Sequence, residues 1–139
     1  MPTVSLSYLE IRVLAPEILI KETVKQQLQD LTAEESQVIV HCSYFTGGFE
    51  EKIRIWKSTF LMARESAHRS KLLYVENISL YPDWTDMERY KEFRFTLIFS
   101  ALPKDCKVFD LVETIPEPGG FEVRGIGRNG VDVYRVEVG

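Results

Sequence analysis

Apolar and polar residues alternate with a period of two along most of this chain. Such alternation is typical of β-strands that bury one face. In the clearest run Phe93, Phe95, Leu97 and Phe99 share one face, and each contributes about 1.5–3 kcal/mol when it is buried. The pattern predicts strands over residues 9–13, 38–44, 53–61, 72–80, 93–100, 108–113, 121–127 and 131–138.

The last two of these runs are separated by Asn129 and Gly130. Asn-Gly between two β-rich segments is a strong hairpin signal, because both turn positions of a type I′ turn require φ > 0. The sequence therefore predicts that residues 121–127 and 131–138 form a β-hairpin.

One stretch departs from the period of two. Ile20, Val24, Leu28 and Leu31 have helical spacing, and residues 22–30 are rich in good helix formers. Residues 32–35, a Thr followed three positions later by a Glu, resemble a capping box. Local evidence favours one short helix at residues 20–31 over a strand.

Turn signals separate the predicted strands, which follow one another at short intervals. Pro82, Pro103, Pro118, Gly119 and Gly120 lie in these turns. Closely spaced strands joined by such turns predict an antiparallel sandwich or barrel. No linker or internal repeat divides the sequence, so residues 1–139 are predicted to form a single domain.

The composition narrows the classes of partner. The 139 residues are 45% hydrophobic and 27% charged, with a net charge of −4, as in ordinary globular proteins. Because phosphate backbones are bound by clustered cations, an acidic chain is a poor candidate for nucleic acid. Arg64, His68, Arg69 and Lys71 come closest to a basic patch, but Glu65 lies among them and a solvated loop is expected.

No apolar run is long enough to cross a membrane, and residues 1–13 do not read as a signal peptide. If Met1 is the native start, the cytoplasm is the expected compartment. If the native chain begins upstream, the cell envelope or secretion stays open.

Gly125, Gly127 and Gly130 match the G-x-G-x-x-G fingerprint of dinucleotide-binding folds. That fingerprint requires a following helix, whose N-terminus faces the pyrophosphate. Residues 131–138 are instead predicted to be a strand, so the motif is interpreted as a turn.

His41 and Cys42 invite a catalytic or metal-binding interpretation. Neighbouring side chains on a strand point to opposite faces, so these two diverge and Cys42 is expected to be buried and inert. Cys106 is the only other cysteine, and the sequence leaves open whether the two are bonded.

A hydrolase of the two-carboxylate type needs its pair held about 5–10 Å apart across a cleft, and the chain contains the pairs Glu34 with Glu35, Glu50 with Glu51, and Asp105 with Asp110. The adjacent glutamates lie in polar stretches and are expected to be solvated surface. Neither G-x-S-x-G nor S-x-x-K occurs. The sequence thus yields no catalytic, cofactor-binding or metal-ligating residue, and no cofactor is expected.

Tyr44, Trp56, Tyr81, Trp84 and Tyr90 could decorate a binding face, since Trp and Tyr dominate interface hot spots. Core packing is the favoured interpretation of these rings. Asn77, Ile78 and Ser79 form an N-glycosylation sequon that matters only in a eukaryotic secretory setting.

Six segments of the chain form a familiar series of strand and turn patterns: residues 38–44, 53–61, 71–78, 95–99, 102–105 and 109–113. In that order they resemble an immunoglobulin-like β-sandwich module of bacterial envelope proteins, which is often an accessory domain beside others. The resemblance covers residues 36–127. It implies a strand rather than a helix over residues 24–31, and it supplies no ligand or catalytic residues. The chain departs from the pattern in its longer N-terminal segment and in residues 131–138.

Together these observations predict an all-β, immunoglobulin-like antiparallel sandwich of about seven to nine strands with at most one short helix. The expected function is a non-enzymatic structural or protein-binding module, with an unidentified protein partner. The alternative is a small-molecule or glycan binder, or a hydrolase, whose cleft at one end of the sandwich is lined by Arg64, His68 and Trp84. Self-association through open strand edges is a third expectation. Neither nucleic acid nor membrane insertion is expected.

Overall fold

The structure, a computed structural model, describes residues 36–139, which contain ten strands and no helix. The predictions for residues 9–13, 20–31 and 32–35 fall outside the described residues, so the single-domain prediction for residues 1–139 stays a prediction. The strands are β1 (Gln37–Phe45), β2 (Glu51–Ile55), β3 (Thr59–Ala63), β4 (Arg69–Glu76), β5 (Ser79–Leu80), β6 (Thr85–Met87), β7 (Glu92–Ser100), β8 (Val108–Glu113), β9 (Glu122–Gly127) and β10 (Val133–Glu137).

The strands form a seven-stranded sheet, in the order β10-β1-β7-β4-β3-β8-β9, and a three-stranded sheet, in the order β5-β2-β6. The all-β prediction is confirmed for this part of the chain. The sheets are mixed rather than wholly antiparallel, because β1 pairs in parallel with β10 and β2 with β5. The immunoglobulin-like variant of the fold stays a prediction.

Two predicted strands are each divided in two, and β6 was not predicted, so residues 36–139 alone contain ten strands. The strand expected over residues 53–61 ends at Ile55 and resumes at Thr59. At the break the N–H of Trp56 donates to the Glu113 carboxylate, and the Thr59 hydroxyl donates to the Trp56 carbonyl. The strand expected over residues 72–80 breaks at Asn77, whose φ is 63°.

The core is built as the alternation predicts. Phe95, Leu97 and Phe99 of β7 point inward, while Phe93 is only half-buried. The residues at the middle of this core share the inner faces of neighbouring strands, and each is almost fully enclosed: Val38, Val40, Cys42, Leu61, Phe109 and Leu111.

The predicted C-terminal hairpin is wrong. β9 pairs with β8 at one edge of the seven-stranded sheet, whereas β10 pairs in parallel with β1 at the other edge. The residue with positive φ in the connection is Asp132, at 56°, rather than Asn129 or Gly130. The Asn129 side chain instead accepts hydrogen bonds from the N–H groups of Val131 and Asp132.

The Arg128 side chain holds the connection between β9 and β10 in place. Its Nε and Nη2 donate to the two carboxylate oxygens of Asp132, at 2.6 and 3.0 Å. Its Nη1 donates to the carbonyls of Pro103 and Cys106, at 2.7 and 3.1 Å. The connection is thereby anchored to the turn before β8, which directs β10 away from β9.

Candidate binding site

Four side chains stack on the outer surface of the three-stranded sheet, and we name them the aromatic cluster: Arg54, Trp56, Tyr81 and Trp84. The Trp56 and Tyr81 rings are stacked with centroids 3.8 Å apart. The Arg54 guanidinium lies 4.6 Å from the Tyr81 centroid and 3.8 Å from the Trp84 centroid. The cation thus bridges two electron-rich rings, an arrangement that is electrostatically favourable.

The strand period explains why Arg54 faces solvent. Ile53 and Ile55 on either side of it enter the core, so Arg54 points outward. Tyr81 directly follows β5, where its N–H donates to the Ile55 carbonyl at 2.9 Å. Arg54 also donates to the Pro82 carbonyl at 3.2 Å, so it holds the backbone of the turn that carries both aromatic rings.

A buried carboxylate supports the cluster from the neighbouring sheet. Glu113 is 7% exposed and accepts hydrogen bonds from the N–H groups of Trp56, at 2.9 Å, and Phe121, at 3.0 Å. Burial raises the pKa of Glu113 above its usual range, although both hydrogen bonds act in the opposite direction. Because these bonds are to backbone groups, Glu113 positions the Trp56 backbone.

An open groove of about 230 Å³ runs beside the cluster. Its lining includes Trp56 and Trp84 of the cluster together with Glu117 and Pro118 from the loop after β8. Lys52 lies at this groove and forms a long ion pair with Asp86, at 3.9 Å. The groove therefore combines aromatic surface with charges of both signs.

The structure corrects the expectation that the five aromatic residues pack in the core. Trp84 and Tyr81 are 51% and 47% exposed, and Tyr90 is 79% exposed on the loop before β7. Trp56 and Tyr44 are half-buried, and the Tyr44 hydroxyl donates to Glu51 at 2.7 Å. The sequence offered these residues as a possible binding face but favoured core packing, because their exposure depends on tertiary packing.

His41 and Cys42 diverge as predicted. Cys42 is buried in the core, where burial raises the pKa of its thiol to about 12. Cys106 is also buried, and the two cysteines are not bonded to each other. The His41 Nδ1 lies 2.8 Å from the Thr96 hydroxyl, in an open polar groove of about 600 Å³ that Arg94 and Arg135 also line.

The three residues proposed to line an end cleft do not meet there. Trp84 belongs to the aromatic cluster, whereas Arg64 lies at the end of β3 and contacts Asp110, with its Nη2 3.0 Å from Oδ1. The His68 Nε2 lies 3.1 Å from both the Ser70 hydroxyl and the Ala101 carbonyl. Ser70 is fully buried and donates to the same carbonyl, which makes it a structural residue.

Of the pair Asp105 and Asp110, the Asp110 carboxylate is buried. Burial opposes its ionisation, but hydrogen bonds from Arg64 and the Gly125 N–H, with the charge of Arg124, hold the pKa of Asp110 below its usual value. Asp105, by contrast, is exposed.

The two adjacent glutamates at residues 50–51 have separate partners. Glu50 forms a salt bridge with Arg89 at 3.2 Å, and the Glu51 carboxylate accepts hydrogen bonds from the Tyr44 hydroxyl and the Gly47 N–H. Glu34 and Glu35 fall outside the described residues.

The glycine motif behaves as a strand end and a turn. Gly125 and Gly127 lie on β9, and the segment after Gly130 continues into β10 rather than into a helix. Asn77 of the sequon donates through its side-chain amide to the Arg94 carbonyl at 2.6 Å.

Within residues 36–139, no group of three or more His, Cys, Asp or Glu side chains is arranged to hold a metal ion. The same part of the chain contains no helix of the length and apolarity needed to span a membrane.

Comparisons with protein-family models, curated proteins and solved structures found no significant match. The aromatic cluster is therefore interpreted from its own geometry.

Proposed function

We propose that residues 36–139 form a non-enzymatic binding module that contacts a protein partner through the aromatic cluster. The observation that carries the proposal is the Arg54 guanidinium held between the Tyr81 and Trp84 rings on a solvent-exposed surface. Trp, Tyr and Arg are the residue types most enriched in interface hot spots.

Pre-organisation strengthens this proposal. Binding normally costs free energy because flexible side chains must be ordered at the interface. Here the stack on Trp56, the hydrogen bond from Arg54 to Pro82 and the support from Glu113 already fix the cluster. A partner would therefore meet an ordered surface at a low entropic cost.

The size of the groove favours a macromolecular partner over an enclosed small molecule. Small-molecule pockets usually measure about 300–1,000 Å³ and bury most of their ligand. The groove beside Trp84 measures about 230 Å³ and is open to solvent, so it suits one side chain of a larger partner.

The non-enzymatic part of the proposal is supported by how reactive side chains are used. The Ser70 hydroxyl is buried against a carbonyl, the Cys42 thiol is held neutral in the core, and Asp110 is held by two arginines. Glu113 holds backbone N–H groups. Each of these groups has a structural partner.

The resemblance to an immunoglobulin-like accessory module of envelope proteins is consistent with a protein-contacting role and belongs to the same proposal.

We further propose self-association through an open sheet edge as a second mode of protein contact.

The test compares W84A with Y74A as a matched control. Tyr74 is an exposed aromatic residue on β4, away from the cluster. Each full-length variant is used to capture proteins from the native lysate, and recovered proteins are quantified by mass spectrometry and then measured as purified partners. We expect a partner whose affinity falls about thirtyfold with W84A, the loss of a hot spot of about 2 kcal/mol, and stays unchanged with Y74A.

A panel of soluble glycans, titrated with tryptophan fluorescence as the readout, provides the opposing arm. Glycan binding that W84A abolishes, or protein partners that do not distinguish W84A from Y74A, would overturn the proposal. Circular dichroism of both variants establishes that they are folded.

A further inference from the structure

β10 forms one edge of the seven-stranded sheet, and its pairing with β1 determines which backbone groups face outward. The Ile39 N–H donates to the Asp132 carbonyl, and the Val138 N–H donates to the Ser43 carbonyl, both at 2.9 Å. In a parallel ladder this pattern directs the backbone N–H and C=O groups of every second β10 residue, such as Tyr134 and Val136, toward β1. The backbone groups of Val133, Arg135 and Glu137 consequently point away from it.

Within residues 36–139 no strand pairs with that outer side of β10. The Val133 carbonyl accepts a hydrogen bond from the Asn129 side chain at 2.9 Å, which closes this end of the edge. The N–H and C=O groups of Arg135 and Glu137 are the ones placed to meet an incoming strand. Both side chains are exposed, on the face opposite to the core.

Charge determines which register an antiparallel copy of β10 could adopt. Hydrogen-bonded pairs must join residues whose backbone groups face outward on both strands. A register that places Arg135 opposite Arg135, or Glu137 opposite Glu137, brings like charges together, which is destabilising. Placing Arg135 opposite Glu137 of the second copy creates two opposite-charge pairs related by a two-fold axis.

We propose that two copies of this chain pair antiparallel through β10, with Arg135 of each copy opposite Glu137 of the other. In this register Val136 lies on the two-fold axis, on the inner side of the extended sheet. Charged residues on a short edge strand usually discourage pairing. The same two charges here discourage the two registers that align like residues and favour this one.

The inference specifies the self-association part of the proposed function. Its failure would leave the aromatic cluster unaffected, because β10 and the cluster share no residue. Conversely, loss of partner binding in W84A would leave β10 pairing intact.

The experiment is sedimentation equilibrium of the full chain and three variants over a wide range of protein concentration. We expect a wild-type dimer whose dissociation constant rises at least about tenfold in R135E and in E137R, since each variant converts both pairs to like charges. The double variant R135E/E137R restores opposite charges in this register alone and should recover dimerisation. K71E, an exposed charge reversal on β4 of the same sheet, is the control and should leave the dimer unchanged.

Three results would overturn the inference. They are a wild-type chain that is monomeric at every concentration, a dimer that tolerates both single variants, and a double variant that stays monomeric. Added salt should weaken the wild-type dimer, because these pairs are solvent-exposed.

Discussion

The backbone N–H of Gly125 donates a 2.8 Å hydrogen bond to Oδ1 of Asp110. Gly125 has a φ of 71°, a conformation that side-chain-bearing residues rarely adopt. A glycine that resembles part of a nucleotide-binding fingerprint therefore serves a buried carboxylate on the neighbouring strand. Arg64 and Arg124, which are both exposed, form salt bridges with the same carboxylate.

Replacing this carboxylate gives the first prediction. D110N should lower the free energy of unfolding by about 1–3 kcal/mol at pH 7, because two arginines and the Gly125 N–H lose their charged acceptor. Urea denaturation measures the loss. D105N, at an exposed carboxylate, should change stability by no more than about 0.5 kcal/mol.

Wild type and D110N also test how the contribution of Asp110 to stability depends on pH. The pKa of Asp110 is lower in the folded than in the unfolded chain, so its ionisation stabilises the fold above the unfolded value of about 3.9. That contribution is lost as pH falls from there through the folded pKa. The stability difference between wild type and D110N should therefore be constant near neutral pH and narrow below about pH 4. A difference that widens in acid would contradict this assignment.

Two glycines should respond differently to an added methyl group. A Cβ at Gly120 would collide with the Glu113 carbonyl, which is backbone and cannot swing aside. G120A should destabilise the protein by about 1–3 kcal/mol. Gly130 has nothing within 4 Å of such a Cβ and no positive φ, so G130A should cost less than about 0.5 kcal/mol. Thermal and urea unfolding of both variants would check this, and a damaging G130A would favour the type I′ hairpin.

The stability that Arg128 contributes should depend on the shape of its guanidinium group as well as on its charge. R128K keeps the charge but loses the fork that binds Asp132 and two carbonyls, so a loss of about 1–3 kcal/mol is expected in chemical denaturation. R89K, at an exposed pair with Glu50, is the control, with an expected change below about 1 kcal/mol. Equal effects of the two substitutions would remove the anchoring role of Arg128.

Cys42 should be unreactive in the folded protein. Its thiol is buried and its pKa is raised to about 12, so little thiolate exists at pH 8. Peptide mapping after iodoacetamide treatment should show Cys42 unmodified in native buffer and modified in urea. Labelling of Cys42 at equal rates in both conditions would show that β1 opens readily.

The strands with the strongest alternation were the most predictable parts of the fold. β1 and β7 lie within a residue of their predicted limits, because each has one mostly buried face that fixes the period. The break between β2 and β3 could not be seen locally, since Trp56 has high β propensity and its N–H is diverted by Glu113, distant in sequence. Propensity carries no information on that partner.

The candidate site was predictable in its residue types and not in its arrangement. Trp84 and Tyr81 were among five aromatic residues that could form a face, although core packing was favoured, and nothing in the local sequence indicated that Arg54 would lie between them. That placement depends on β5 pairing in parallel with β2, which brings Tyr81 beside Trp56. The Asn129 and Gly130 signal failed for a related reason, because local turn preference was outweighed by the pairing of β10 with a distant strand.

That last pairing also bears on the order in which the molecule can assemble. β1 and β10 are the first and last strands of the described chain, so their ladder closes the longest loop in the sheet. The entropic cost of such closure must be met before the ladder contributes any stability, and topologies of this kind fold slowly. During synthesis β1 would lack its β10 partner until residues 133–137 leave the ribosome, so the growing chain exposes, within residues 36–139, a sheet edge that β10 later covers.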